Sequence, residues 1–333
     1  MIGIIKEGDD FTSLWIAELK KRDKEFIVLS IRDKDFWVKA RLCKVVFWHF
    51  SQTRQFDIKW SRIFLEALNS RGIKSFPNHA QSWHFDNKIA QYFLLNESGY
   101  KLPKTKIYFR RTEIWSQLNS VTLPVVMKFY GGAGSQNVIK IRSRLALYYW
   151  AILAFTIGIA HHRPLANFML NLKRPGRNPI VLFFKDVLKY FLPSKTERVL
   201  LREKNYLYLQ EFIPDAKYDI RIITVGDKAF GIKRYTGVKD FRASGSGIVD
   251  HDVESLPKVC VRNSFEISEK FKFPWMTYDW IYHEGKSEYL LVEVSYGFKP
   301  AVYTECNGYF SRDIQIQRPM FNIYSEMIDV ALR

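Results

Sequence analysis

A lysine inside an apolar strand is the first residue whose surroundings indicate chemistry. Lys128 lies in the predicted strand 123–129 (LPVVMKF), and a glycine-rich stretch at 131–135 (GGAGS) follows it directly. Loops of this kind bind phosphate through their backbone amides, and a lysine on the adjoining strand adds a positive point charge. The stretch is not a P-loop, because no Gly-Lys-Ser/Thr sequence follows the glycines. The alternative is an edge-strand lysine that points to solvent before an ordinary glycine turn.

A second lysine, Lys88, lies in the first turn of a predicted helix. Asp86 or Asn87 can cap this helix, which runs through IAQYFLLNES and ends at Gly99. A cation in the first turn opposes the helix dipole at a cost of roughly a few tenths of a kcal/mol. An anion bound nearby would offset that cost. The alternative is a solvated lysine that has no ligand.

Charged residues also share one face of a predicted β-hairpin. Its turn is the dipeptide Gly-Asp at 226–227, which is typical of a type II′ turn. Counting back from the turn places Asp219 opposite Arg234, with Arg221 on the same face. An exposed cross-strand ion pair, worth under about 1 kcal/mol, is the alternative. The segment 240–247 (DFRASGSG) follows closely, and arginines beside such a small loop suit the binding of an oxyanion.

Two acidic residues interrupt apolar strands near the C-terminus. Asp279 lies in Tyr-Asp-Trp-Ile, and Glu293 lies in Leu-Leu-Val-Glu-Val, with Ser295 two residues later. A charged residue in an otherwise apolar strand needs a partner, and a metal ion is one such partner. Carboxylate and hydroxyl oxygens are hard ligands suited to Mg²⁺, which nucleotide sites hold through carboxylates and phosphates. Structural salt bridges are the alternative.

Strands and helices alternate in the first 80 residues. Strands are predicted at Ile2–Ile5, Phe26–Ile31 and Val45–Phe50, with helices at Phe11–Lys21 and Trp60–Ser70. This alternation favours a small parallel-sheet α/β unit. No Gly-x-Gly-x-x-Gly follows the first strand, so the fingerprint of a dinucleotide site is absent. The last third is predicted to be rich in strands, at Tyr206–Ile213, Asp219–Val225, Lys228–Tyr235 and Tyr289–Val294.

Length and composition limit the classes of protein that the chain can belong to. Its 333 residues correspond to about two domains, and 47% hydrophobic residues exclude disorder, collagen and a small disulfide scaffold. Lys and Arg exceed Asp and Glu by 51 to 34, so the net charge of +17 predicts an anionic partner. Three distant cysteines and the absence of a His-Glu-x-x-His pattern argue against disulfides and zinc. The N-terminus lacks the pattern of a signal peptide, which predicts a cytoplasmic protein.

The segment 140–205 is both basic and apolar. It carries 13 basic and 3 acidic residues, and residues 145–160 contain no charge. Sixteen residues are too few to span a bilayer, which takes roughly 18–20. We therefore predict a buried or interfacial helix and peripheral contact of the region 143–204 with an anionic membrane. A core helix of one lobe and a homodimer contact are the alternatives. A nucleic-acid partner is not predicted, because no recognisable binding motif accompanies the charge.

Taken in order, these features resemble the ATP-grasp superfamily, in particular its carboxylate–amine ligases similar to glutathione synthetase and D-alanine–D-alanine ligase. The resemblance covers about residues 85–310 and implies an α+β fold. Two α/β lobes would sandwich ATP, and a small α/β domain would precede them. The predicted boundaries are 1–84 for the first domain, 85–208 for the small lobe and 209–333 for the large lobe, with an insertion at about 143–204 in the small lobe.

The resemblance also implies where ATP binds. Lys88, Lys128 and the glycine-rich loop would bind phosphates, residues 210–213 would line the hinge beside adenine, and Asp219 would lie on the nucleotide side. The complete predicted set is Lys88, Lys128, Gly132, Gly134, Ser135, Gln210, Glu211, Phe212, Ile213, Asp219 and Ser244.

Catalytic and metal-binding roles follow from the same resemblance. Arg234 and Arg242 would hold the transferred phosphoryl group, while Asp279, Glu293 and Ser295 would hold one or two Mg²⁺ ions. Many ligases of this group have Asn where this chain has Ser295, which puts the second ion in doubt. The implied reaction joins an unidentified carboxylate to an amine through an acyl phosphate. The FRASGSG and Glu-Val-Ser-Tyr patterns are similar to ATP-grasp proteins of bacterial surface polysaccharide assembly. A catalytically weak ATP-binding regulatory module is the alternative.

Overall fold

The computed structural model describes residues 1–6, 10–51, 55–131, 138–160, 202–214, 216–236 and 248–333, together with positions 178, 180, 181 and 184. Within these residues the helices are α1 Asp10–Lys21, α2 Phe36–Ala40, α3 Gln55–Asn69, α4 His79–Ser82, α5 Lys88–Leu95, α6 Arg111–Gln117, α7 Arg144–Phe155, α8 Lys258–Lys270 and α9 Ile323–Leu332. The strands are β1 Ile2–Ile5, β2 Phe26–Leu29, β3 Val45–Phe47, β4 Lys74–Phe76, β5 Thr105–Tyr108, β6 Val125–Lys128, β7 Val138–Ile141, β8 Ile159–Ala160, β9 Arg202–Glu203, β10 Leu207–Glu211, β11 Tyr218–Val225, β12 Lys228–Tyr235, β13 Val249–Asp250, β14 Trp275–His283, β15 Glu288–Ser295, β16 Tyr309–Ser311 and β17 Ile316–Gln317.

The first sheet is parallel, with strand order β2-β1-β3-β4. Every residue of β1 is buried, as the continuous apolar run Ile2–Ile5 requires of a strand covered on both faces. Helices α1 and α3 connect the strands where apolar residues recur with helical period. The predicted parallel sheet with helices between its strands is therefore confirmed.

The second sheet is antiparallel, with order β5-β10-β6-β7. Because side chains alternate along a strand, β6 presents different residues to its two sides. Val125 and Met127 join the apolar core that also contains Leu147 and Ala151 of α7. Lys128 therefore points to the opposite face. Since β6 lies between two neighbours, the alternative of an edge-strand lysine is wrong.

The third sheet has the order β15-β14-β11-β12-β16-β17, and β13 pairs with β12. The predicted hairpin is confirmed residue by residue: Asp219 pairs with Arg234 and Arg221 with Ile232. Gly226 has a φ of 56°, which the first central residue of a type II′ turn requires. Helix α8 covers one face, where Trp280 Nε1 donates to Ser264 Oγ at 3.1 Å. Asp279, next to Trp280, belongs to the other face.

The first and third sheets share one core. Phe76 of β4 stacks on Trp275 of β14 with ring centroids 5.4 Å apart, and Trp15 of α1 lies 6.3 Å from the same indole. The second sheet and α7 form a separate core. The chain thus has two packed bodies, one carrying the second sheet and one carrying the first and third, and we call the buried region between the second and third sheets the cleft. The boundaries at 84 and 208 stay predictions.

The N-terminal part of the uncharged run 145–160 forms helix α7. Ser143 caps it by accepting a hydrogen bond from the backbone N–H of Ala146 at 3.3 Å. Leu147, Ala151 and Ala154 are buried, as predicted for a helix that contributes to a core. In the described part of the chain, no helix is long and apolar enough to cross a membrane.

Candidate functional site

Two buried lysines and an acidic residue meet where the second and third sheets face each other. Lys88 is only 6% exposed and its Nζ forms an ion pair with the Glu293 carboxylate of β15. Lys128 is 7% exposed. The alternative of a solvated lysine is therefore wrong for Lys88. A buried ammonium needs compensation, and Glu293 supplies it directly to Lys88.

The local backbone places Lys88 beside Tyr130, the residue that precedes the glycine-rich stretch 131–135. Asn87 caps α5 by accepting a hydrogen bond from Ala90 N–H at 2.9 Å, so the second of the two predicted caps is the observed one. Lys88 N–H donates to the carbonyl of Tyr130 at 2.9 Å. Tyr130 N–H in turn donates to the hydroxyl of Tyr206 at 2.6 Å. Both backbone groups of Tyr130 are thus hydrogen-bonded.

The environment of Lys128 disfavours the charged form of this lysine. Burial and the nearby ammonium of Lys88 lower the pKa of Lys128 to about 8, although the carboxylates of Glu293 and Asp279 act in the opposite direction. Two ammonium groups, Lys88 of α5 and Lys128 of β6, therefore lie close together in the site. Such a site favours an anionic ligand, which would restore the charged form of the lysine.

Two arginines hold the Asp279 carboxylate. Arg221 forms a bidentate pair with it, Nε to Oδ1 and Nη2 to Oδ2, both at 2.6 Å. Nη2 of Arg234 lies 3.1 Å from Oδ2. Burial by itself would raise the pKa of Asp279, but the two guanidinium groups outweigh it and hold the pKa well below its ordinary range. The salt-bridge alternative thus applies to Asp279, which stays ionised at neutral pH.

Arg234 connects Asp279 to a second carboxylate. Its Nε and Nη2 donate to Oδ1 and Oδ2 of Asp219 at 2.6 and 2.7 Å. Burial raises the pKa of Asp219 even though Arg234 lowers it. Both of these bonds and the contact with Asp279 use Nε and Nη2 of Arg234. The predicted ion pair exists, but it is half-buried rather than exposed.

We expect Arg221→Gln to lower the free energy of unfolding by about 3 kcal/mol, because it leaves the buried Asp279 carboxylate without its bidentate partner. Urea unfolding measures the change. Arg262→Gln, an exposed substitution on α8 in the same body, is the matched control and should change stability by less than about 0.5 kcal/mol. Equal effects of the two substitutions would contradict a structural role for the Arg221–Asp279 pair.

The three predicted metal ligands lie close together on the third sheet. Asp279 pairs directly with Glu293 across β14 and β15, and Thr277 pairs with Ser295. A β-bulge follows at Asp279/Trp280. Bulges change the direction of side chains and are common beside active sites. The hydroxyl of Ser295 closes a turn, because its Oγ donates to Gly297 O and accepts from Gly297 N, both at 3.2 Å.

No cluster of three or more His, Cys, Asp or Glu side chains suited to a metal ion occurs within the described ranges. The site offers two carboxylates instead. Oδ2 of Asp279 accepts from two arginines, while Oδ1 accepts from one and keeps a lone pair. Mg²⁺ fits such a set, because it usually takes one or two carboxylates and completes its shell with water and phosphate oxygens.

The predicted hinge residues occupy the end of β10 and the turn that follows. Gln210 is buried on the same face as Lys128 and donates from Nε2 to Thr105 Oγ1 at 3.0 Å and to Tyr208 Oη at 3.2 Å. Lys286 forms an ion pair with Glu211, with Nζ 3.3 Å from Oε1. Farther on, the Lys140 ammonium lies 3.3 Å from the ring centroid of Phe212, and Ile213 is buried.

Five predicted site residues lie outside the described residues: Gly132, Gly134, Ser135, Arg242 and Ser244. Their roles stay predictions. The structure adds three residues that the sequence reasoning did not place in the site: Arg221, which holds Asp279, and Tyr208 and Lys140, which lie on the Lys128 side of the second sheet. Alternation along β7 and β10 is the signal that could have identified the last two.

Several solved structures are similar in fold to this chain over nearly its whole length. A RimK domain protein ATP-grasp from Sphaerobacter thermophilus is 11% identical, with a TM-score of 0.58 over 100% of this chain and 99% of that one. A D-alanine–D-alanine ligase from Bacillus anthracis, complexed with ATP, is 15% identical, with a TM-score of 0.57 over 99% and 95%. An N5-carboxyaminoimidazole ribonucleotide synthetase from Thermotoga maritima is 14% identical, with 0.58 over 99% and 75%.

At these identities the similarity is one of fold. No protein-family model matches the sequence, and no curated protein matches it. What the chain does must therefore be argued from its own residues.

Proposed function

The chain has the ATP-grasp fold, and from that premise we propose that it is a Mg-ATP-dependent ligase that joins a carboxylate to an amine. One observation supports this above the others: two buried lysines, Lys88 of α5 and Lys128 of β6, lie beside the ion-paired carboxylates and arginines of the third sheet. Opposite charges kept out of solvent in this way are costly unless a ligand uses them. A nucleotide triphosphate with its metal ion would use both sets.

In this proposal the second sheet binds the nucleotide. Lys88 and Lys128 interact with phosphate oxygens, assisted by the amides of the glycine-rich loop 131–135. Gln210 and the segment 211–213 contact the adenine, and Asp219 lies on the nucleotide side of the third sheet. Solved neighbours include complexes with ATP and with ADP, which agrees with this choice of ligand.

Mg²⁺ would be held by Glu293 and by Oδ1 of Asp279, with the Ser295 hydroxyl as a weaker third ligand. The ion supplies positive charge that offsets the negative charge of the phosphates. Because Ser295 is already bonded to Gly297, the residues present favour one ion over two. Lys88 contacts Oε1 of Glu293, so Oε2 can bind the metal ion.

The reaction itself needs no nucleophile from the protein. An oxygen of the substrate carboxylate attacks the γ-phosphorus of ATP, ADP leaves, and an acyl phosphate forms. The amine nitrogen then attacks the acyl carbon, and phosphate leaves. Arg234 and Arg242 would stabilise the charge on the phosphoryl oxygens, so that the protein mainly positions and stabilises.

A catalytically weak ATP-binding module that regulates a partner is the second candidate, favoured by the occupied oxygens of Asp279 and by Ser295. A pooled screen of carboxylates and amines, with ADP and phosphate as readouts, separates the two. A ligase releases ADP only when a matching acid is present, and stoichiometric product requires the amine as well. Nucleotide binding without acid-dependent ADP release in any pool would favour the module.

Lys128 gives a pH signature for nucleotide binding. Because its pKa is about 8 without ligand, roughly half of the lysine is neutral at pH 8, and a bound polyanion will favour the ammonium form. We expect ATP binding at pH 8 to take up about half a proton, and less at pH 7, where the lysine is already charged. Titration calorimetry in buffers of different ionisation enthalpy measures the uptake. Lys128→Arg should abolish it, and uptake that persists in this variant would contradict the assignment.

The Lys88–Glu293 ion pair predicts a further effect. Without metal, a nucleotide must compete with Glu293 for Lys88, so Glu293→Gln should bind an ATP analogue in EDTA about tenfold more tightly than the wild type does. With Mg²⁺ present the variant should lose its advantage. Calorimetric titration in both conditions tests this. Equal metal-free affinities would show that the ion pair does not compete with phosphate.

Surface polysaccharide assembly is the cellular setting we propose, on the similarity of the FRASGSG and Glu-Val-Ser-Tyr patterns alone. The proposal also includes a cytoplasmic location, with peripheral contact at the inner face of the membrane. The acid and amine substrates remain to be identified by the screen.

A further inference from the structure

One face of helix α7 is apolar and exposed. Leu145 is 83% exposed, Tyr149 56% and Ile152 47%, and they recur at helical spacing on one side. Ile157, just after the helix, is 65% exposed. We call these four residues the α7 face. A surface helix ordinarily presents charged residues to water, whereas this one is apolar on both sides.

Basic residues border the α7 face. Arg142 lies exposed directly before the helix. Beyond it, β8 pairs with β9, which brings Arg202 opposite Ala160, and Arg202 Nη1 donates to the carbonyl of Gly158 at 3.3 Å. Lys204 is exposed beside it. Apolar side chains flanked by cations are complementary to a binding partner that has negative charge at its surface and an apolar layer below that surface.

The position of α7 leaves the cleft free. Its buried side packs on Val125 and Met127, which point to one side of the second sheet. Lys128, the residue after Met127, points to the other side of the sheet, toward Lys88 and Glu293. A partner bound to the α7 face would therefore not obstruct the candidate site.

From these observations we infer that the α7 face is a docking surface for an anionic lipid bilayer. The helix would lie in the interface, with its apolar side chains among the acyl chains and the arginines at the headgroups. Twelve residues, about 18 Å of helix, suit an interfacial helix and not a spanning one. A second copy fits less well, because a symmetric contact would bring Arg142, Arg202 and Lys204 of both copies together.

Vesicle sedimentation of the full chain, without nucleotide, tests the inference independently of the ligase function. We expect binding to phosphatidylcholine vesicles that contain about one-third phosphatidylserine, with little binding to phosphatidylcholine alone. High salt should weaken the binding, because the Debye length falls from about 10 Å at 0.1 M to about 3 Å at 1 M. Failure of the wild type to bind anionic vesicles at low salt would overturn the inference.

Variants locate the surface. The double substitution Leu145→Glu/Ile152→Glu should lower vesicle affinity at least about tenfold, since it removes apolar burial and adds negative charge. Val38→Glu/Ile63→Glu is the matched control: these residues of α2 and α3 are 67% and 56% exposed, and the change in charge is the same. The control should bind like the wild type.

Two further outcomes would count against the bilayer. If the Leu145→Glu/Ile152→Glu variant keeps wild-type vesicle affinity, the α7 face is not the contact. If light scattering shows a wild-type dimer that this variant dissociates, and no vesicle binding occurs, the face belongs to a second copy. Thermal unfolding of both double variants confirms that the substitutions act on the surface alone.

Discussion

Lys128→Ala is expected to weaken the binding of an ATP analogue about a hundredfold. Lys128 is buried on the cleft side of β6, and its ammonium has Glu293 and Asp279 as its nearest opposing charges. A phosphate oxygen that loses a desolvated charge-assisted contact loses about 3 kcal/mol, and 1.4 kcal/mol corresponds to a factor of ten. Calorimetric titration with a non-hydrolysable analogue and Mg²⁺ measures the change.

The matched control is Lys106→Ala. Lys106 lies on β5 of the same sheet but pairs with Leu209, so it belongs to the α7 side of that sheet, and it is exposed. The control should change affinity by no more than about twofold. A folded Lys128→Ala protein with wild-type affinity would remove Lys128 from the nucleotide site, and with it the main support for the phosphate assignment.

Glu293→Gln is expected to reduce turnover about a thousandfold while the protein stays folded. The carboxylate would hold the metal ion that offsets charge on the phosphates, and a neutral amide is a poor substitute. The shape of the side chain is kept, and its carbonyl can still accept a hydrogen bond from Lys88. ADP release with the acid and amine found by the screen measures turnover, and thermal unfolding measures stability.

The opposite pattern would identify Glu293 as a structural residue. In that case the variant would unfold at a markedly lower temperature, and its turnover per folded molecule would equal that of the wild type. Ser295→Asn is the companion test. Asn offers a carbonyl oxygen that can reach beyond the turn at Gly297, so Mg²⁺ affinity should rise. Unchanged affinity would indicate that the third ligand position no longer contributes.

Local patterns in the sequence determined several parts of this protein. The apolar run at β1 and the helices between strands predicted the parallel first sheet, because side chains repeat with period 2 in strands and 3.6 in helices. The Gly-Asp dipeptide at 226–227 determined the hairpin register, because a two-residue loop leaves one way to pair the strands. The pairing of Asp219 with Arg234 followed by counting. The ordered set of lysines, arginines and carboxylates also predicted the ATP-grasp fold, which the solved structures support.

Only the tertiary structure decided how these charges are partnered. Lys88 pairs with Glu293, which lies far along the chain, and Asp279 is held by Arg221, to which the sequence reasoning gave no site role. Such pairs depend on how three sheets pack, and the energy of a charge depends on its burial and on every neighbouring charge. The exposed face of α7 could not be predicted from the sequence either. An uncharged run is consistent with a core or an interface, and only the packing of the second sheet shows which α7 residues are buried and which are exposed.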